Sequence, residues 1–318
     1  MRFVTYADGP ADDPADRVGV LSEERIYALA SGVTLRGLLG DDGERLHRAG
    51  EQALSDPRDV LPLNGVRLRS PIPDPPSVRD FMTFEQHVEG ARRLAGADEI
   101  PPRWYDAPAF YFTNPTAVLG PHDDVPVPPG SDLFDFELEA AAVIGLGGRD
   151  IRAAEAERHI VGYCLLNDWS ARDTQFEEMT VGLGPAKGKD TSLTLGPVLV
   201  TADELAPYRS GTAFDLRMTA VVNGEVIGTD RWDAMHFSYA EMIEYASRGT
   251  EVRPGDVLGS GTCGGGCLAE LWGREGCDAH PPLRPGDTVT ISVDALGTIT
   301  SKIVSYPGLH PLPPPRMR

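Results

Sequence analysis

Short alternating runs of apolar and polar residues open the chain. RFVTYA, RVGVLS and RIYALA are separated by polar turns and predict strands of a small β-rich domain over residues 1–70. PIPDPPSV (71–78) can be neither regular helix nor central strand, since proline lacks an N–H and locks φ, so it reads as a linker. From residue 79 the periods mix. FEQHVEGARRLAG (84–96) has a helical pattern, and FELEAAAVIG (136–145) is apolar enough for a buried strand. AAEAERHIVGYCLLND (153–168) predicts a short helix running into a strand, and VVNGEVI (221–227) a hairpin turning at Asn223–Gly224. In FSYAEMIEYASRG (237–249), Phe237, Ala240, Ile243 and Ala246 fall near helical spacing, and Arg248–Gly249 supplies a last turn and a C′ glycine. TVTISVD (288–294) alternates as a strand, while the PLPPPRMR tail is expected to be extended or disordered. Many short strands and few long helices predict an α+β fold dominated by a mixed β-roll. The domains expected are 1–70, a larger unit of mixed strands and helices over 79–305, and a Pro-rich tail over 306–318.

Charge narrows the partners. The 318 residues carry 29 Lys and Arg against 48 Asp and Glu, a formal net charge of −19. Nucleic-acid binding needs clustered basic residues, and an anionic membrane attracts basic segments, so neither partner is expected. No apolar run approaches the ~20 residues that span a bilayer. The opening MRFVTYADGPADDP lacks the apolar core of a signal peptide. Four cysteines in a chain of 318 residues give no disulfide framework. The expectation is a cytoplasmic protein that acts on a small molecule. Lysine is avoided: 26 of the 29 basic residues are Arg, yet Lys187 and Lys189 stand together in GPAKGKD.

Several motifs fail on inspection. VIGLGGRD has Asp150 where a dinucleotide fingerprint needs its third glycine. A Walker pattern ending at Lys189 would need Gly at Leu183 and Ser or Thr at Asp190. Cys263, Cys267, Cys277 and His280 are irregularly spaced for zinc, and the first two lie in a glycine-rich loop, so reduced, partly buried thiols are expected there.

The carboxylates form the informative anomaly. Alternation in a strand puts Glu137 and Glu139 on one face, with Phe136, Leu138 and Ala140 on the other. Two like charges in a half-buried strand repel and raise each other's pKa, and desolvating one unpaired carboxylate costs several kcal/mol. A divalent cation resolves both problems. Thirty residues on, CLLNDWSARDTQ is an apolar strand ending in Asp168, well placed as a third oxygen ligand. Carboxylate sets suit hard cations such as Mg²⁺, Mn²⁺ or Ca²⁺. Upstream, Asp80 and His87 are joined by DFMTFEQH, which turns helical.

The ordered set DFxxFxQH, ExE, NDWSARDxQ, LGPxxGK, GSGT and a distal Glu-Leu resembles the fumarylacetoacetate hydrolase family over most of residues 79–305. The resemblance implies that family's β-roll/β-sandwich catalytic domain behind a small N-terminal domain, and a homodimer formed largely through the C-terminal domain. It implies metal ligands at Glu137, Glu139 and Asp168, with Asp80 as a fourth. It implies a general base at His87, oriented by Glu270. Arg172, Gln175, Lys189 and Thr262 match substrate-contacting positions. Met82 departs from the pattern, standing where the animal hydrolase has a substrate-binding tyrosine.

The expected chemistry starts with a cation, Mg²⁺ or Mn²⁺, chelating a 1,3-dicarbonyl or 2-oxo acid and stabilising an enolate. With His87 activating water and Lys189 offsetting oxyanion charge, the first expectation is C–C bond hydrolysis of a fumarylacetoacetate- or acylpyruvate-type substrate. The alternative is isomerisation or tautomerisation, of the 2-hydroxyhepta-2,4-diene-1,7-dioate type, or decarboxylation of oxaloacetate. A non-catalytic scaffold of the same fold is the reading from another class.

Overall fold

A computed structural model describes residues 1–8, 15–97 and 99–308. The expected tail PLPPPRMR lies outside the described residues. The fold is α+β, as expected, and is built around a 12-stranded mixed sheet and a second sheet of five strands.

Four neighbouring strands of the large sheet matter most. In spatial order they are Ile160–Asp168, Leu138–Ile144, Val257–Gly259 and Val78–Phe81. The first three pair antiparallel, and the last two run parallel with Gly259 opposite Asp80. Leu138 pairs with Asn167, which brings Glu137 beside Asp168, whose N–H donates to the Glu137 carbonyl at 3.2 Å. The 138–144 strand is buried on both faces, as its near-continuous apolar run requires. Phe136, Leu138, Ala140, Ala142 and Ile144 enter the main core, whereas Ala141 and Val143 enter a second apolar cluster. Glu137 and Glu139 therefore share the face of Ala141 and Val143, the alternation expected from the sequence.

The three N-terminal runs form the strands Arg2–Asp8, Ala15–Ser22 and Arg25–Ala28. Arg2–Asp8 also pairs with Leu193–Thr201, so the large sheet continues across the Pro-rich stretch. Phe3, Val18 and Leu46 share the second cluster with Val143, Leu193 and Leu199. In the five-stranded sheet, Arg217–Val222 and Glu225–Arg231 form the expected hairpin. Its turn residues Asn223 and Gly224 sit at φ 53° and 86°, the left-handed region that Asn-Gly tolerates best.

Helices fall close to their periodic segments. Glu85–Leu94 carries His87, and Tyr239–Ser247 starts with a capping box between Ser238 and Glu241. The helix Leu268–Glu275, which carries Glu270, follows the glycine-rich loop and gives no long periodic signal. Among the described residues no helix is long and apolar enough to cross a membrane.

Candidate active site

Asp80, Glu137, Glu139 and Asp168 are all buried, and each offers a carboxylate oxygen within 4.8 Å of the others. Gly259, between the strands of Glu139 and Asp80, keeps the space open. A Cβ there would lie 2.6 Å from Asp80 Oδ1 and 2.8 Å from Glu139 Oε2.

The protein answers part of this repulsion with its own cations. Arg172 Nη2 donates to Glu137 Oε1 at 2.7 Å and to Asp135 Oδ2 at 2.8 Å. Lys189 Nζ donates to Asp168 Oδ2 at 2.6 Å and also to Glu137 Oε2. Tyr111 donates its hydroxyl to the same Asp168 oxygen. Of the paired lysines, only Lys189 is buried here; Lys187 is exposed and bonds Asp190. Burial pushes Glu137 up, but Arg172 and Lys189 outweigh it and hold its carboxyl well below the usual range. Glu139 lacks such a partner. Burial and then the Asp80 and Glu137 charges push it well above the usual range. Asp168 and Asp80 are also raised, chiefly by burial.

Three buried oxygens in the cluster, Asp80 Oδ1, Glu139 Oε1 and Asp168 Oδ1, have no hydrogen-bond partner. An unpaired buried carboxylate oxygen is costly. Three of them converging in an all-oxygen set fit a hard divalent cation well.

His87 lies on the next helix, 5% exposed, with Nδ1 2.9 Å from Glu270 Oε1. Glu270 is fully buried. Its Oε2 accepts from Gly265 N at 2.9 Å and Arg274 Nη2 at 2.8 Å, so both oxygens are held. Gly90 lets the two helices approach, because a Cβ there would meet Glu270 Cγ at 2.6 Å. Arg172 bonds both Glu137 and Asp135, and Asp135 holds the helix that carries Glu270. The pair and the carboxylates thus form one site.

Asp135 ties the halves together. It accepts from Leu268 N at 2.8 Å and Ala269 N at 3.0 Å, capping the helix that carries Glu270, and its Oδ2 takes Arg172. A carboxylate at a helix N-terminus satisfies orphan N–H groups and the helix dipole together. Gln175 is half-buried and accepts from Arg172 Nη1 at 3.2 Å, and the 187–189 turn packs against it. Thr262 is buried in the loop after Gly259, next to Gly261, whose N–H donates to Glu139 Oε2 at 3.0 Å. Met82 is 41% exposed beside the site's Asp80 strand.

The structure thus gathers all ten candidate residues into one region. Sequence reasoning missed Asp135, Tyr111, Arg274 and the spacing role of Gly259. Asp135 had a signal, a third acid within the apolar FDFELE run; Tyr111 in FYFT had none. Cys263 and Cys267 are buried and Cys277 is exposed. Among the described residues they form no common cluster with His280, which instead lies 3.0 Å from Glu275.

Comparison with known proteins matches residues 77–304 to the family model described as fumarylacetoacetate (FAA) hydrolase C-terminal. A mitochondrial oxaloacetate tautomerase of Homo sapiens is 31% identical over 268 residues, covering 83% of this chain and 78% of the relative. A crystal structure described as a probable 2-hydroxyhepta-2,4-diene-1,7-dioate isomerase from Mycobacterium abscessus superposes with a TM-score of 0.71 at 27% identity, covering 97% of this chain and 100% of the other. The fumarylacetoacetate hydrolase of Exiguobacterium antarcticum, 24% identical with a TM-score of 0.74 over 96% of this chain and 100% of its own, shares the fold.

Proposed function

The chain belongs to the fumarylacetoacetate hydrolase family, and from that membership we propose a divalent-metal-dependent enzyme that shifts a proton on an enolisable 2-oxo acid, a tautomerase or isomerase. The observation that carries the reading of a metal-dependent proton-transfer enzyme is the buried His87–Glu270 pair beside the carboxylate cluster. A relative named as an oxaloacetate tautomerase and a structural neighbour named as a dienedioate isomerase support it.

Asp80, Glu137, Glu139 and Asp168 would hold Mg²⁺ or Mn²⁺, which supplies Lewis acidity toward the oxygens of a bound 2-oxo acid. The remaining work falls to side chains. Glu270 Oε1 accepts from His87 Nδ1–H, which fixes the tautomer and leaves Nε2 free as the base. His87 Nε2 takes a proton from C3 of the substrate and delivers one to the enol oxygen, or the reverse. Lys189 and Arg172 hold Glu137 in place and supply fixed positive charge near the oxygen that becomes negative. Gln175 and Thr262 are the substrate contacts in this reading. The homodimer is part of the proposal, and a monomer at micromolar concentration in sedimentation would remove it.

The same pair supports a second reading. His87 could equally take a proton from water, giving C–C hydrolysis of an acylpyruvate or a fumarylacetoacetate-like diketo acid. One experiment separates the two: oxaloacetate and a panel of acylpyruvates are offered with Mg²⁺, following enol absorbance and the cleavage products. The proposal expects accelerated interconversion of oxaloacetate tautomers without cleavage. His87→Ala should lose ~10²–10⁴-fold in rate, with metal content unchanged, and Glu270→Gln should lose less. Cleaved acylpyruvates with oxaloacetate tautomers left at their spontaneous rate would replace the first reading by the second. An undiminished rate in His87→Ala would end both.

A further inference from the structure

Cys267 has no part in that chemistry, yet its thiol is buried against both members of the pair. Sγ lies 3.8 Å from His87 Nδ1 and 4.0 Å from Glu270 Oε1, and those two atoms are 2.9 Å apart. The three side chains come from two helices packed against each other at Gly90. His87 sits in the helix Glu85–Leu94, while Cys267 and Glu270 flank the start of Leu268–Glu275, which Asp135 caps.

Ligand atoms around tetrahedral Zn²⁺, bound at ~2.0–2.3 Å, stand about 3.3–3.8 Å apart. Two edges of the triangle already lie within a few tenths of an ångström of that range. The third reaches it once the hydrogen bond between His87 and Glu270 is given up. Gly265 and Arg274 hold Glu270 Oε2, which leaves Oε1 as the oxygen that faces the thiol and the imidazole.

Imidazole, thiolate and carboxylate together form the donor set of a thiophilic divalent ion, in contrast to the all-oxygen cluster nearby. We propose that His87, Cys267 and Glu270 form a second, inhibitory cation site that takes Zn²⁺ or another thiophilic divalent ion. On binding, the Cys267 thiol releases its proton to solvent and sulfur joins the metal. Thiolate and carboxylate then balance the two positive charges, and water completes the tetrahedron. Coordination at Nδ1 moves the imidazole proton to Nε2, where it blocks the base. That last consequence rests on His87 being the base; the uptake of metal does not.

The test keeps the enzyme saturated with Mg²⁺ and adds Co²⁺ as an optical probe. A sulfur ligand in a tetrahedral site gives near-ultraviolet thiolate-to-cobalt absorption and strong visible bands, which an all-oxygen site lacks. The expected result is one such Co²⁺ per chain in the wild type and none in Cys267→Ser. Zn²⁺ affinity at this site should fall by at least ~100-fold in that variant. The Mg²⁺-dependent turnover that this variant retains should resist Zn²⁺. Weak oxygen-type bands alone in the wild type would overturn the proposal. So would equal Zn²⁺ inhibition of both proteins, because the ion would then be displacing Mg²⁺ from the carboxylates. Should Cys267→Ser fail to fold, Cys277→Ala removes the one exposed thiol, and a sulfur-type Co²⁺ spectrum lost with it would overturn the proposal. The spectrum decides whether the enzyme proves to be a tautomerase or a hydrolase.

Discussion

Replacing Gly259 by alanine adds one methyl group against the carboxylate cluster. Its φ lies outside the left-handed region, so the backbone accepts the change. The side chains do not: the new Cβ would stand 2.6 Å from Asp80 Oδ1 and 2.8 Å from Glu139 Oε2, where ordinary contact begins at 3.4 Å. The two oxygens must retreat by about 0.8 and 0.6 Å, and metal sites tolerate deviations of only ~0.2 Å. Mg²⁺ affinity should therefore fall by at least ~100-fold, or ~2.7 kcal/mol. At a Mg²⁺ concentration ~100 times the wild-type Kd, binding stabilises the wild type by ~2.7 kcal/mol and the variant by only ~0.4 kcal/mol. Scanning calorimetry with and without Mg²⁺, beside a titration for Kd, reads this directly. The wild type should show a metal-dependent rise in Tm that nearly vanishes in Gly259→Ala. An equal rise in both proteins would refute the reasoning, because Asp80 and Glu139 would then not be holding the ion.

Three further outcomes are expected. Gly90→Ala lies mid-helix, where alanine ordinarily gains ~0.5–1 kcal/mol over glycine. Here its Cβ presses on Glu270 Cγ at 2.6 Å, so kcat should fall with Mg²⁺ uptake intact; a fully active variant would mean that the His87–Glu270 geometry is not critical. Asp135→Ala leaves Arg172 buried with one partner fewer and uncaps the 268–275 helix, so urea unfolding should show a loss of about 3–5 kcal/mol, and a loss below ~1 kcal/mol would count against this account of Asp135. The last concerns pH. Burial raises Asp80, Glu139 and Asp168, so the stability they contribute to metal-free protein is complete below their unfolded pKa near ~4 and is lost as pH rises through their raised values. Glu137, held low, contributes stability that is complete above ~4 and is lost only below it, so it does not oppose the other three over that rise. The metal-free Tm should drop as pH rises above the unfolded carboxylate range near ~4, and Mg²⁺ should restore more the higher the pH; a metal-free Tm that climbs over that rise would contradict the sign.

Local physics made much of this protein legible in its sequence. Alternation in FDFELEAAAVIG determined that Glu137 and Glu139 share a face, because strand geometry leaves no other choice. The Asn223–Gly224 pair determined its hairpin through φ, and the conjunction of DFxxFxQH with NDWSARDxQ identified the family. What these patterns could not contain was the neighbourhood across strands distant in the chain. Sheet order decided that Asp80 and Asp168 flank Glu139, with Gly259 as the gap that admits them. Tertiary packing also decided that Lys189 and Arg172 answer the carboxylates, that Asp135 links Arg172 to the helix of Glu270, and that Tyr111 reaches Asp168. The N-terminal strands join the large sheet through two residue pairs, Arg2 with Val200 and Phe3 with Leu199, nearly two hundred positions apart. Periodicity reports the few residues on either side of a position, whereas charge compensation in a buried site depends on which side chains lie within a few ångströms, and only the folded chain determines that.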